Sequence, residues 1–256
     1  MIPPSKRVAL VIGHPGHELR VFHWLEMVRP VVFVLTDGSG GLGYSRLPST
    51  TRILDQVGAS RGSFYGRLTD CEAYKAILNR DFDLFIKLAC QVSRFLVDET
   101  VSYVVGDSAE GYNPTHDVCR LVIGAAVDMA NRSRVNEVGD FDFQLTGAAD
   151  RSSGNYDIRI ELDDDAFARK MDVARSYSGL EPEVNAALIN NSELAFRVEC
   201  LRPVNYRNIF RQDAKPYYEE YGEKRVAEGK YGEVIRYREH VLPLAEALRQ
   251  MVARRR

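Results

Sequence analysis

The sequence predicts an α/β protein: a three-layer, Rossmann-like parallel sheet with a helical C-terminal extension. Three observations carry this reading. Apolar runs of strand length recur at Val8–Ile12, Val31–Thr36 and Val101–Val105. Segments with helical spacing of apolar residues separate them. The last third reads as mainly helical. Strands divided by helical segments imply parallel pairing through right-handed crossovers.

In order, residues 7–12 read as a buried strand and 18–28 as a helix, with Leu19, Phe22, Leu25 and Met27 on one face. Pro30 ends that helix, and residues 31–36 form the next strand. A glycine-rich loop follows, Asp37-Gly38-Ser39-Gly40-Gly41-Leu42-Gly43. Pro48 opens a short helix and Gly58 closes it, the expected asymmetry of helix ends. Phe64-Tyr65 suggests a short strand. Asp70 is expected to cap a helix to about Leu78, and residues 82–97 make another. Residues 101–105 are a strand, 116–131 a helix and 141–145 a further strand. Residues 158–162 suggest an extra strand. Helices are then expected at 163–176, 183–189, 223–238 and 241–252. The stretch 206–221, with Tyr206, Phe210, Tyr217, Tyr218 and Tyr221, reads as an aromatic arm. The expected division is an α/β body over residues 1–200 and a helical extension over 201–256.

The 256 residues suffice to bury a real core. A net charge of −2 leaves no broad basic field for nucleic acid, and Arg254-Arg255-Arg256 reads as a solvated tip. Cys71, Cys90, Cys119 and Cys200 form no C-x-x-C pair, which disfavours a thiolate zinc site. Cys90 and Cys119 are expected to pack as small hydrophobes. No signal peptide is read at the start, and no apolar stretch is long enough to span a membrane. The expected location is the cytoplasm.

The chemistry concentrates at two matching junctions. His14-Pro15-Gly16-His17-Glu18 follows the first strand, and Asn113-Pro114-Thr115-His116-Asp117 follows the strand at 101–105. Strand exits are where open α/β sheets place ligands. A single histidine beside a helix start is usually only a cap. Three at matching junctions favour a metal, because three imidazoles plus water make an open catalytic zinc set. Such a metal lowers the pKa of its water to roughly 7 and polarises a carbonyl. His23 and His240 lack this setting and read as structural.

These motifs resemble those of the PIG-L/LmbE family of zinc-dependent deacetylases, which carry His-Pro-Asp-Asp-Glu after the first strand and His-Pro-Asp-His after a later one. Leu35-Thr36-Asp37-Gly38-Ser39 resembles the family's Thr-Asp-Gly loop. Arg46 stands near a family arginine that contacts substrate. Lys170 to Tyr177, and Glu199 after Phe196, resemble later segments. The resemblance implies His14, His17 and His116 as metal ligands, with zinc or another divalent ion, and an N-acylated amino sugar or sugar conjugate as substrate. It also marks two departures. The family's general base falls on Gly16, which takes no proton, and its second-motif histidine falls on Asn113, which can only donate a hydrogen bond to an oxyanion.

Replacement bases are therefore sought at strand exits, with Asp107 ranked before Asp37. Glu18 reads as an anion orienting an imidazole, and Asp117 as a first-turn helix charge. Arg46, Tyr112 and Glu110 are the expected substrate contacts, with the Gly38–Gly43 loop at the rim. The expected function is a metal-dependent N-deacetylase acting on a small molecule or glycan. The alternative is a catalytically degenerate relative that binds a ligand or serves as a scaffold. In either reading the C-terminal extension is the expected surface for homo-oligomerisation. Nucleotide binding at Gly13-His14-Pro15-Gly16 ranks last, because the G-x-G-x-x-G spacing is absent.

Overall fold

A computed structural model describes residues 7–40, 43–146, 157–190, 196–204 and 214–254. The strands are β1 (Val8–Ile12), β2 (Val31–Thr36), β3 (Ser60–Leu68), β4 (Tyr103–Asp107), β5 (Gly139–Phe143), β6 (Ile158–Glu161) and β7 (Val198–Pro203). They form one sheet in the order β3-β2-β1-β4-β5-β7-β6. The first five are parallel, as expected. The sheet is mixed beyond them: β7 runs antiparallel to β5, and β6 antiparallel to β7.

Side-chain alternation explains the three layers. β1 is buried throughout. Its Ala9 and Val11, with Phe33 and Leu35 of β2, face one apolar cluster. Val8, Leu10 and Ile12, with Val32 and Val34, face the other. Strands buried on both faces read as continuous apolar runs, which is why these two were legible. The first face is covered by α4 (Phe82–Asp98), α5 (Pro114–Ser133) and α9 (Leu242–Arg254). The second is covered by α1 (Phe22–Val28), α2 (Leu47–Val57) and α6 (Asp164–Arg175).

α5 carries the second histidine motif and is buried along most of its length. Asn113 caps it, accepting the Thr115 N–H at 2.8 Å, and Pro114 occupies its first turn. One charged tie secures it to the sheet. Fully buried Arg120 holds both Asp140 oxygens, at 2.6 and 2.9 Å, and the Phe141 carbonyl at 3.2 Å. The Arg120–Asp140 pair therefore locks α5 to β5.

Several elements differ from expectation. The segment after the first motif starts as a 3-10 turn, His17–Val21, before α1 begins. β3 is a nine-residue strand rather than a short one, because an edge strand with few apolar residues leaves little alternation to read. Helix α3 (Asp70–Leu78) is capped by Thr69, whose hydroxyl accepts from Glu72 while Glu72 reaches back to the Thr69 N–H. β7 had no sequence signal, since Glu199 interrupts its apolar residues. Its carboxylate accepts the His23 and Trp24 N–H groups at 2.9 and 2.8 Å and pairs with Lys170 at 2.8 Å. β7 also crosses the expected boundary at residue 200.

Helix α7 spans Glu181–Asn190. Helix α8 spans Tyr217–Ala227 and stops at Gly229, φ 69°, well before the expected end near 238. Tyr218, Tyr237, Val241, Leu244 and Leu248 join the core beside α4 and α5, so the C-terminal helices pack on the body. Tyr206 and Phe210 of the expected arm, and Gly41 and Leu42 of the glycine loop, lie outside the described residues. Cys119 is buried as expected, while Cys90 is only partly so. Among the described residues no helix is long and apolar enough to cross a membrane.

Removing one partner of a buried ion pair leaves the other charge uncompensated. Arg120→Ala is therefore expected to lower unfolding free energy by about 3–5 kcal/mol, measured by urea denaturation, and to loosen the α5 terminus that presents His116.

Candidate metal centre and cavity

β1 and β4 are parallel neighbours, with Val8 opposite Tyr103 and Val11 opposite Gly106. The chain continues from β1 to β2 on one side and from β4 to β5 on the other. Their carboxyl ends form the switch point of the sheet, the usual ligand crevice of open α/β folds. Both histidine motifs leave from this point. The Gly13 N–H donates to Asp107 Oδ2 at 2.7 Å, joining the two strand exits directly. A Cβ at Gly13 would lie only 3.0 Å from that oxygen, which accounts for the glycine.

The three rings converge. Centroid separations are 5.4 Å for His14–His17, 5.0 Å for His14–His116 and 4.6 Å for His17–His116, all edge to face. His14 Nδ1 faces Thr36 Oγ1 at 2.7 Å and Asp70 Oδ1 at 3.0 Å. The Thr36 hydroxyl donates to the Gly13 carbonyl, so towards His14 both neighbours accept and Nδ1 carries the hydrogen. In the neutral ring this makes Nε2 a lone-pair donor, and His14 Nε2 is buried with no hydrogen-bond partner. His17 Nδ1 faces both oxygens of Asp107, at 3.0 and 2.9 Å. His116 sits on the first turn of α5 and is 8% exposed.

Electrostatics favour neutral imidazoles at His17 and His116. Burial, then the neighbouring His14, Arg46 and Arg20, push the His17 pKa well below its ordinary value. Burial, then His17 and His14, do the same to His116. Burial opposes ionisation of Asp70, yet its hydrogen bond and charge contact with His14 hold it below the usual carboxylate range. Burial raises Asp107 to about 7, against the pull of the Gly13 N–H.

Among the described residues, no group of three or more His, Cys, Asp and Glu side chains is already gathered as a metal site. The chemistry of the donor set nevertheless suits a divalent ion. Three imidazoles meet, one carries an orphaned buried nitrogen, and two have a carboxylate behind Nδ1, the arrangement that fixes the tautomer of metal-binding histidines.

A cavity of about 400 Å³ opens over the three rings. Its wall includes Arg46, Asp70, Tyr112, Asn113 and Thr146. Arg46 Nε is buried on this wall with no hydrogen-bond partner. The side-chain carbonyl of Asn113 caps α5, which makes its amide nitrogen the remaining polar group. Tyr112 lies at the exposed rim, stacked on Tyr217 at 5.1 Å.

Other expected site residues have different work. Asp107 is fully buried and absent from the cavity wall; its oxygens face Gly13 and His17, which suits orienting a ring rather than accepting a proton from a water in the cavity. Asp37 accepts from Ser39 N at 3.0 Å and Ser39 Oγ at 2.6 Å, as a turn aspartate. Glu110 accepts from Ser108, from Leu145 N at 2.7 Å and from Thr146 N at 2.9 Å, pinning a loop instead of a ligand. Glu18 orients no imidazole; it accepts from Gly16 N at 2.8 Å and Thr50 Oγ1 at 2.7 Å and so fixes the histidine turn. Asp117 accepts from Glu110 N and Gly111 N, both at 3.1 Å. Asp70, read from sequence only as a cap, is the residue that was missed. Its position just after a strand-to-helix loop was the available signal.

Gly16 has φ 105°, a conformation that favours glycine. A Cβ there would lie 2.1 Å from Leu180 Cδ1. The volume a side chain at position 16 would need is therefore filled by an apolar group.

No family profile and no curated protein sequence matches the chain. Among solved structures, the fold is similar to a zinc-inhibited form of a teicoplanin deacetylase at 15% identity, covering 89% of this chain and 96% of that one, with a TM-score of 0.46. It is also similar to a conserved protein from Thermus thermophilus at 14% identity, covering 78% and 93%, with a TM-score of 0.49. Identities this low leave the site to be judged on its own residues.

Gly16→Asp is expected to fold less stably, by about 1–3 kcal/mol from backbone strain alone, with a further loss from the Leu180 contact. Adding Leu180→Ala should recover the contact part only, as read from thermal unfolding midpoints of the single and double variants. Full recovery would show that the turn carries no strain.

Proposed function

We propose that this chain is a metal-dependent hydrolase of the N-deacetylase type, acting on an N-acylated amino sugar or sugar conjugate. The observation that carries the reading is the meeting of His14, His17 and His116 on the cavity floor, with His14 Nε2 buried and unpartnered. The motif resemblance to the PIG-L/LmbE deacetylases supports it.

In this reading His14, His17 and His116 hold zinc or another divalent ion. A bound divalent ion supplies Lewis acidity towards an acyl carbonyl and makes a nearby water more acidic. The chain's own residues do the rest. Asp70 and Asp107 hold two rings with Nδ1 as donor, so that Nε2 is free to ligate. The Asn113 amide donates to an oxyanion forming beside α5. Arg46 binds hydroxyl or carbonyl oxygen of the ligand through its guanidinium, whose Nε is buried on the cavity wall. Asp70 and Glu183 are the carboxylates on the described cavity wall. Asp70 already serves His14 and Gly40 N, the latter at 2.7 Å, which leaves Glu183 as the acceptor for a proton.

A second reading is favoured by one specific observation. Leu180 fills the space of the family's general base, as expected of a relative that keeps the fold and the ion but binds without turnover. The readings part on a single assay, acetate release from N-acetyl amino sugars by the zinc-loaded chain. Release that is lost in Glu183→Gln supports hydrolysis. Tight metal uptake with no release supports binding alone.

For the ion itself, chelator-treated protein is expected to take up one zinc per chain by titration calorimetry. His14→Ala should abolish uptake, and Asp107→Asn should weaken it about 10- to 100-fold without touching the cavity. Uptake unchanged in both variants would contradict the assignment.

A further inference from the structure

The cavity has two unlike sides. The strand ends contribute imidazoles, Asp70, Arg46 and Asn113, whereas α6 and α7 contribute a mainly apolar surface, with Lys170 and Glu183 as its charged members. On α7, Val184, Ala187 and Leu188 line the cavity, and a spacing of three and four residues puts them on one helical face. Met171 of α6, Leu19 and Phe196 continue this wall. The cations beside it are already engaged. Lys170 is tied to Glu199 at 2.8 Å and to the Arg20 carbonyl at 3.2 Å, and the Arg20 guanidinium donates to the Leu145 carbonyl. Leu180 brings the apolar surface to the histidine turn itself, since its Cδ1 occupies the Cβ space of Gly16.

We infer that this wall is an acyl-chain chamber, and that the ligand carries an unbranched fatty acyl group of several carbons on its amide nitrogen, rather than acetyl alone. The inference rests on the reading that the imidazoles address an amide carbonyl. A chain attached to that carbonyl starts beside His14 and His17, where Leu180 stands, and runs along the face of α7. The sugar or other polar part then lies towards Arg46, Asn113 and the rim at Tyr112. Burial of each methylene against such a wall strengthens binding by about three- to fourfold.

The test is calorimetric titration of the full chain with N-acylglucosamines bearing acetyl, butanoyl, hexanoyl and octanoyl groups. Affinity is expected to rise by about tenfold for each added pair of methylenes until the chamber is full. Val184→Phe, which fills the chamber, should bring the octanoyl compound down towards the acetyl value, and Met171→Ala should restore room for longer chains. Affinity independent of chain length, or a Val184→Phe effect equal on acetyl and octanoyl compounds, would overturn the inference. Binding needs no turnover. Failure of the hydrolase reading therefore appears as missing product with the chain-length slope intact, and failure of this inference as a missing slope.

Discussion

The contact between the Gly13 backbone and the Asp107 carboxylate is the constraint on which the site depends. It forms because β1 and β4 are parallel neighbours whose chains depart in opposite directions, leaving two carboxyl ends side by side. Asp107 closes the gap between them and at the same time faces His17 Nδ1. One buried carboxylate thus sets the strand spacing and the orientation of a ring. The side chain can be buried only because a backbone N–H and an imidazole both approach it; alone it would be costly to remove from water.

A second layer of contacts keeps the histidine turn in place from the other direction. Glu18 accepts the Gly16 N–H and the Thr50 hydroxyl, and Tyr177 reaches the same hydroxyl at 2.6 Å. Glu199 of β7 caps the start of α1 through His23 and Trp24 and takes Lys170 from α6. The turn is therefore held by Glu18 from within the motif, and the helix that follows it by Glu199 from a strand remote in sequence. Such support separates a cluster of histidines that could be a ligand set from three that merely happen to be near one another.

Much of the central fold was legible because its strands are buried on both faces and appear as unbroken apolar runs. β1, β2 and β4 are of this kind. The outer strands were not, since β3 lies on an edge and β7 places Glu199 in the middle of its apolar residues. The histidines were legible because each follows such a run. The carboxylates were harder. Asp107 was identified as important, but its role depends on which way it faces, and the structure turns it away from the cavity towards Gly13 and His17. Asp70 looked like a cap because helix starts favour aspartate, while Thr69 and Glu72 do the capping and leave Asp70 for His14. Leu180 could not be anticipated at all, because its contact with Gly16 joins residues distant along the chain.

X-ray absorption at the zinc edge on the zinc-loaded full-length protein tests the central claim most directly. The account predicts three imidazole nitrogens at about 2.0–2.1 Å, with one imidazole contribution lost in a His116→Ala variant that still folds. A coordination shell of oxygen or sulfur alone, or a spectrum unchanged by that substitution, would contradict it.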